Sequence, residues 1–382
     1  MEGAPAVRQT ATGQNEANRV CVRCKEAESV TTIRSEPLCK ECFKKYIHTK
    51  VVKRMETFRV RNVPSDGQRR LLLPLSLGIS SLTLLHVLHL HLARQKNRTG
   101  QTGFDLIVLW IDLSHSGTQS RDPLLDAAKR MFPQHTFISS SITDVWTSVL
   151  SSLYSQDTQL GHDGNLPSLP EFLSSLPSAT SRADVSEHFK KRLVVNIAKH
   201  NNCEAVLWGH TATRLAEQTL AETAKGRGFS LSGQISDGDS ALGIPFYYPL
   251  RDLFRKELVA HAELVEGQLC VFLGPNDKKQ AVSTRDSSID ALMTSYIDSV
   301  ERGYPSIVAN VVRTAGEKLT KRPPQSSNVC AICLLPYHDD LEPTGQSNGN
   351  TSQFQLCYGC RQSVPQGCLT GLFEKPSISD KR

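Results

Sequence analysis

The sequence predicts an α/β protein built on a doubly wound, mostly parallel sheet, with a small zinc-ribbon-like module at each end. Three observations carry this. Short apolar runs alternate with stretches of helical periodicity from Leu71 to Arg302, the pattern of parallel strands joined by crossover helices. Eight of the eleven cysteines fall into four Cys-x-x-Cys pairs, two near each end. A chain of 382 residues, 39% hydrophobic and 21% charged, has room for one large domain with smaller attachments.

In chain order, residues 1–18 read as a disordered polar tail and 19–62 as a four-cysteine zinc module followed by a basic helix from Lys44 to Arg61. Residues 63–319 carry the α/β pattern. Leu71–Leu75 reads as a strand, and Ser80–Ala93 as a helix with Leu82, Leu85, Leu88 and Leu92 on one side. Phe104–Ile111 is a buried strand ending in Asp112, Asp122–Met131 a helix with Pro123 in its first turn, and Thr136–Ile138 a short strand. Ser, Leu, Pro and Gly dominate 139–181, so an insertion or mobile loop is expected near 139–183, with a short helix at Trp146 and Leu150. Order returns with a helix over Asp184–His200, carrying Phe189, Leu193, Val194 and Ile197 at helical spacing. A strand at Glu204–Trp208 and helices at Thr213–Lys225, Arg251–Val265 and Ser287–Arg302 complete the domain. Residues 320–382 hold a polar, Pro-containing linker, the second four-cysteine module and a tail.

Met1 to Arg19 lacks the apolar core of a secretory signal, and paired thiols in such a context read as metal ligands rather than disulfides. A cytoplasmic location is the expectation. Leu71–Ala93 has the length of a membrane span, but it contains Pro74, Gly78, four hydroxyl residues and three histidines. A strand, turn and helix explains it better, so no membrane partner is expected. Net charge is +6, and residues 1–70 hold 15 Lys/Arg against 8 Asp/Glu. A basic end on a neutral body points to a polyanion reaching that end, or to a solvated surface.

Cys21-Val-Arg-Cys24 and Cys39-Lys-Glu-Cys42 are separated by fourteen residues. Each turn presents two sulfurs, and two turns complete the tetrahedron that Zn²⁺ prefers, with no position left open. Thiolate binding would fold a segment too short to hold a core of its own. Cys330-Ala-Ile-Cys333 and Cys357-Tyr-Gly-Cys360 form the second set across a longer polar gap, with His338 and Cys368 as alternative ligands. Cys203 and Cys270 read as ordinary thiols. His86, His89 and His91 lack an accompanying carboxylate and read as helix packing rather than as a metal site.

The turn Ser76-Leu77-Gly78-Ile79-Ser80-Ser81 joins the first strand to its helix. Such a turn offers backbone N–H groups, a helix N-terminus and hydroxyls to an anion, or is simply a serine-capped turn. It resembles the Ser-Gly-Gly-x-(Asp/Ser)-Ser signature of the N-type ATP pyrophosphatases, with Ser76, Gly78, Ser80 and Ser81 in place and Leu77 where the first glycine stands. Pro74 in the preceding strand is a second departure. The chain further resembles the cytosolic tRNA 2-thiolation proteins: the N-terminal quartet, this turn, Trp208-Gly-His-Thr-Ala-Thr-Arg-Leu-Ala216, Gly226-Arg-Gly228, Tyr248-Pro-Leu-Arg-Asp252 and the final Cys pairs occur in that family's order.

The resemblance implies a nucleotide α-hydrolase-like fold with a degenerate phosphate loop. It implies a nucleotide site at Ser76, Gly78, Ser80, Ser81, Asp112, Gly209 and His210, with ATP as the ligand of the complex. The family's catalytic subunit carries Gly-His-Asn-x-Asp-Asp, where this chain has Thr213 and Arg214 at the acidic positions. Tyr247 falls where that subunit has a cysteine in Arg-Cys-x-Pro-Leu, and no cysteine follows the third strand. Thiolation needs ATP to activate the C2 oxygen of uridine as a leaving group, and a thiol to deliver sulfur. A phenol or an alcohol cannot carry transferable sulfur.

The resemblance therefore implies the non-catalytic partner subunit, with no catalytic residues of its own. In a heterodimer with a catalytic paralogue it would act on the wobble uridine of tRNAs for Lys, Glu and Gln, with sulfur from a thiocarboxylated ubiquitin-like carrier. The alternatives are a self-sufficient ATP-dependent tRNA thiolase and a zinc-stabilised RNA-binding scaffold unrelated to thiolation. The series Lys44, Lys45, Lys50, Lys53, Arg54, Arg59 and Arg61 is the candidate tRNA backbone contact, with Lys190, Lys191 and Arg192 a smaller cluster.

Overall fold

The computed structural model describes residues 20–63, 69–114, 122–153, 168–264, 267–273, 287–318, 328–337, 355–365 and 368. The expected tail at 1–18, most of the 320–329 linker and His338 lie outside the described residues.

A hairpin of β1 (Thr31–Ile33) and β2 (Glu36–Leu38) follows the first Cys pair and leads into α1 (Lys40–Arg54). The chain then enters β3 (Arg70–Pro74), α2 (Ile79–Thr99), β4 (Asp105–Asp112), α3 (Pro123–Met131), β5 (Thr136–Ser141), α4 (Trp146–Leu153), α5 (Leu169–Ser175) and α6 (Ala179–His200). After β6 (Ala205–Leu207), α7 (Ala212–Ala224) and α8 (Leu231–Ile235) come β7 (Phe246–Tyr247), α9 (Arg255–Leu264), α10 (Ile289–Gly303), α11 (Pro305–Arg313) and α12 (Tyr358–Ser363). The large sheet runs β5-β4-β3-β6-β7, with every pairing parallel.

That order places β3 at the switch point of a doubly wound sheet: the chain travels outward to β5, then returns to the other side of β3. The strand residues show why both faces are covered. Leu71 and Leu73 of β3, with Leu106 and Val108 of β4, join a core formed with α1, α2, α3 and α9. Leu72, Ile107 and Leu109 join a different core, formed with α6, α7, α10 and α11. Alternate side chains enter opposite layers, so the strands are apolar throughout. The helix after β3 has its first turns buried all round, because α1 and α9 pack on the side facing away from the sheet.

Local signals fix the helix ends. Asp122 caps α3 by accepting from Leu124 N–H at 2.8 Å, with Pro123 at the first helical position. Gly100 closes α2 at φ +72°, a dihedral that glycine adopts freely.

The described part of the expected insertion is regular structure. Among its described residues, β5 runs on to Ser141, α4 and α5 form, and α6 begins at Ala179 rather than at Asp184. Two capping boxes, Ser141 with Asp144 and Ser168 with Glu171, start helices inside a composition that resembles loop. Trp146 stacks on Phe172 at 5.0 Å, and both belong to a third core with Phe189 and the four cysteines Cys330, Cys333, Cys357 and Cys360. The C-terminal module is thus built into the α/β body. The short strand β7 and the hairpin β1–β2 have no counterpart in the sequence reading. Leu71–Ala93 divides between β3 and α2, and no helix among the described residues is long and apolar enough to cross a membrane.

Candidate functional site

Beyond the carboxyl ends of β3, β4 and β6 lies an open cleft of about 480 Å³. Ligands of doubly wound folds bind at this place. Ser76, Gly78, Ser80, Ser81, Gly209 and His210, six of the seven nucleotide candidates, line it together. Ser76 Oγ and Ser81 Oγ lie 3.2 Å apart, and Ser81 donates to the Gly78 carbonyl at 3.0 Å, which closes the loop. A Cβ on Gly209 would sit 2.9 Å from the Ser81 Cα, so glycine there lets the β6 loop approach the β3 loop. The seventh candidate, Asp112, is not among the lining residues. Its Oδ1 accepts from Ser114 N–H at 2.8 Å, so it caps its own loop.

Leu77 keeps the left-handed dihedral that favours glycine, at φ +59°. Its side chain leaves the cleft and is buried in the core shared by α1 and α2. The loop therefore retains its shape while a leucine bears the backbone cost.

The acidic positions of the resembling catalytic family are occupied by other chemistry. Thr213 donates to Glu301 at 2.5 Å and accepts from Arg255 N–H at 3.1 Å. Arg214 donates to Glu217 at 3.2 Å, and Glu217 also accepts from Thr294 at 3.1 Å. Glu187 and Lys190, one turn apart on α6, face each other at 3.3 Å on the cleft wall. Burial pushes the Glu187 carboxyl up, but Lys190, Lys191 and Arg214 outweigh it and hold it well below the usual carboxylate range. Burial lowers the His210 ring to about 3, with Arg214 adding to the shift, so this histidine is neutral at physiological pH. Among the described residues, no cysteine lines the cleft. Tyr247, at the expected cysteine position, instead packs its ring edge-on against Phe58 at 4.9 Å.

Sequence reasoning missed Glu187, Glu217 and Arg255 as cleft residues. The i, i+3 spacing of Glu187 and Lys190 is visible, but only the fold brings that helix over the strand ends. Of the smaller cationic cluster, Arg192 is buried and donates to the Ala331 carbonyl at 2.7 Å and the Ser148 carbonyl at 3.0 Å. It ties the C-terminal module to α4.

Both cysteine quartets converge. In each, the four sulfurs lie within 4.8 Å of one another, and no other such group of His, Cys, Asp or Glu occurs among the described residues. Cys24 and Cys39 sulfurs are 3.7 Å apart, and those of Cys333 and Cys357 3.8 Å. A tetrahedron of four sulfurs at about 2.3 Å from one ion has edges of about 3.8 Å. The spacing fits a single four-coordinate ion in each tetrad. Cys368, an alternative ligand, instead donates to the Ser175 carbonyl at 3.5 Å. His89 faces His135 at 3.3 Å, and His91 faces Gln95 at 2.9 Å, so the α2 histidines are used in packing.

The basic series lies on α1 and the turns after it. Arg54 is the exception to its expected role: its Nε and Nη2 grip the Asp252 carboxylate at 2.8 and 2.9 Å, and Asp237 lies 3.5 Å away. Arg59 and Arg61 both approach Glu56, at 3.0 and 4.0 Å, on exposed surface. Lys44 and Lys45 border a second cavity, between α1 and α2.

Comparison with known proteins agrees with this architecture. A protein of Pyrenophora tritici-repentis named cytoplasmic tRNA 2-thiolation protein 2 is 42% identical over 371 residues, 92% of this chain and 96% of its own length. The chain belongs to the cytoplasmic tRNA 2-thiolation protein 2 family. Its relative in Phaeosphaeria nodorum is 41% identical over 91% of this chain and 95% of its own. The family model itself, described as cytoplasmic tRNA 2-thiolation protein 2, matches residues 288–344, which take in α10, α11 and the third Cys pair. Among solved structures, the U34-tRNA thiolase NcsA from Methanococcus maripaludis with its [4Fe-4S] cluster covers 84% of this chain and 93% of its own at a TM-score of 0.55. At 16% identity that likeness establishes a common fold.

Proposed function

We propose that this protein is the non-catalytic subunit of a heterodimer that 2-thiolates the wobble uridine of cytoplasmic tRNAs for Lys, Glu and Gln. The relatives' names and the thiolase fold support a role in tRNA 2-thiolation. The observation that carries the subunit assignment is the cleft's content. It keeps the phosphate-loop shape, yet its described lining has no thiol and has Thr213 and Arg214 where paired acids would hold a magnesium–nucleotide. Arg214 and Thr213 are bound to Glu217 and Glu301, so neither is placed to recruit a divalent cation. Replacing the C2 oxygen of uridine requires a sulfur nucleophile, and that sulfur must reach the uridine through a partner's cysteines. A catalytic paralogue, charged by a thiocarboxylated ubiquitin-like carrier, fits that requirement.

The two tetrads suit zinc as structural ions, since four thiolates leave no coordination position for chemistry. Lys44, Lys45, Lys50, Lys53, Arg59 and Arg61, beside the first tetrad, are the tRNA backbone contacts of this reading. Arg54 is excluded from them by its carboxylate partners.

Pyrophosphate release with ATP and tRNA tests the assignment. The isolated, metal-loaded chain should show none, and adding the copurified paralogue should restore it. Turnover by the chain alone overturns the proposal. Unchanged 2-thiouridine in tRNA from cells lacking the protein would remove the link to thiolation.

A further inference from the structure

Lys44, Lys45 and His48 on α1 face Arg94 on α2 across a cavity of about 580 Å³, floored by His86 and by His261 of α9. Glu41 is the one carboxylate among the residues lining it. The cavity is separate from the switch-point cleft and lies among the helices of the core that includes α1, α2 and α9. Its walls are helical. α1 and α2 are helices of 15 and 21 residues, and the rings of His48 and His91 meet at 5.7 Å between them.

Lys44, Lys45 and Arg94 stand on this lining beside the Glu41 carboxylate and the Cys42 thiol, a member of the first tetrad. Burial lowers the His48 ring to about 4, and the Arg94 guanidinium and His91 push it the same way. Lys45 and Arg94 are exposed on the lining, and the imidazoles of His48, His86 and His261 supply further polar atoms. Cations held on fixed helices around a concavity, with imidazoles behind, suit an oxyanion with several acceptors. Phosphate meets that description. The mouth opens on the same helix that carries Lys50 and Lys53, so a chain of phosphates can run from the cavity along α1.

We propose that this cavity seats a phosphate of an RNA backbone, gripped by Lys44, Lys45 and Arg94 with His48 behind them. The inference rests on the tRNA-binding reading above and deepens it. It adds Arg94 and His48, which lie outside the basic series, and it gives the RNA a defined point of attachment between α1 and α2.

Fluorescence anisotropy of labelled tRNA with the full, zinc-loaded chain, from 50 to 200 mM salt, tests it. Charge reversal at both Lys45 and Arg94 (Lys45→Glu with Arg94→Glu) should weaken binding about 10- to 100-fold and lower the salt slope by about 2, since each phosphate contact contributes just under one unit. Both side chains are exposed, so the fold should be unaffected, and the melting temperature and zinc content check this. Arg98→Glu, a turn further along α2, should leave affinity within about two-fold. If wild type binds tRNA and the double variant binds equally well, the cavity proposal falls and the tRNA reading stands. If wild type does not bind tRNA, both fall. A parallel titration with inorganic tripolyphosphate, read on the His48 imidazole signals by NMR, separates a small-anion site: saturation by tripolyphosphate without tRNA competition overturns the RNA assignment.

Discussion

Arg54, the last residue of α1, holds the Asp252 carboxylate through two parallel hydrogen bonds of 2.8 and 2.9 Å. Asp252 ends the Tyr248-Pro-Leu-Arg-Asp252 segment, so this pair pins the N-terminal module to the loop after β7. Arg34 adds a parallel tether from the β1–β2 turn, donating to Glu257 at 3.2 Å and to the Asp252 carbonyl at 2.5 Å. Burial raises the Asp252 carboxyl, but the Arg54 contact outweighs it and holds the group below its ordinary value.

Arg54→Ala should therefore act on stability before it acts on RNA. Losing a two-pronged charged contact that is about a third exposed should cost about 1 to 2 kcal/mol, the low end for charge-assisted bonds. Asp252→Asn should cost a similar amount, and the double variant should lose less than the sum of the two. A double-mutant cycle in urea measures this coupling. Strict additivity would show that the pair contributes nothing. A tRNA affinity loss in Arg54→Glu greater than in Lys53→Glu, with the fold intact, would return Arg54 to the nucleic-acid surface.

The C-terminal tetrad depends on a buried cation in a comparable way. Arg227, fully buried, pairs with Asp184 of α6 and with Glu222 at 2.7 Å, while Ser363 of α12 donates to Asp184 at 2.6 Å. A Cβ on Gly359 would fall 2.4 Å from the Arg227 guanidinium, so the fourth Cys turn sits directly on this group. Arg227→Met leaves Lys225, 2.9 Å from both Asp184 and Glu222, as the one remaining cation of a buried network and should cost about 3 kcal/mol. Metal analysis should show the ion per chain falling from two towards one, with the N-terminal tetrad retained. Chelation of the wild type should likewise unravel the Trp146–Phe172–Phe189 core, read as a shift in tryptophan emission. Two retained ions in a destabilised Arg227→Met would break the link between this network and the tetrad.

How much of this was visible in the sequence follows from the range of each interaction. Cys-x-x-Cys turns are local, and both tetrads form from the cysteines that the spacing selects. The strands β3, β4 and β6 are apolar on both faces, so their character survives without knowledge of the neighbours. Two-residue β7 has no such run; it exists because Trp208 N–H and Val206 N–H find the Tyr247 and Pro245 carbonyls. The roles of Arg54, Arg192 and Arg227 were hidden for a related reason. Each is a cation whose partners lie at least 43 residues away, apart from the local Arg227–Glu222 contact. On the page of a sequence, a buried arginine and a phosphate-binding one look alike.

Leu77 offers a test of what the degenerate loop lost. A leucine in the left-handed region costs about 1 to 2 kcal/mol, but its buried side chain contributes about 1.5 to 3 kcal/mol. Glycine would relieve the first, forfeit the second and add chain entropy on unfolding. Leu77→Gly should therefore lower stability by about 1 kcal/mol, measured by urea midpoint. Because the thiols and acids remain missing, it should produce no pyrophosphate release. Activity gained from this single change would show that the leucine alone had silenced the site.

Acid should weaken the fold through histidines held neutral. Burial lowers His188 to about 4 and His210 to about 3, against an ordinary value of 6.5. For a base with a depressed folded value, the unfolded chain binds the proton first. The stabilisation of the neutral form is thus complete above about pH 6.5 and declines as pH falls towards the folded value. Between pH 7 and pH 5, His188, which is only 4% exposed, should contribute a loss of about 2 kcal/mol. His188→Gln lacks the titrating group, so its own decline over that range should be smaller by about this amount, whatever its stability at pH 7. Urea midpoints at the two pH values measure the difference, with metal content followed to separate thiolate protonation. An identical decline in variant and wild type would mean that the His188 ring takes up its proton equally well folded and unfolded.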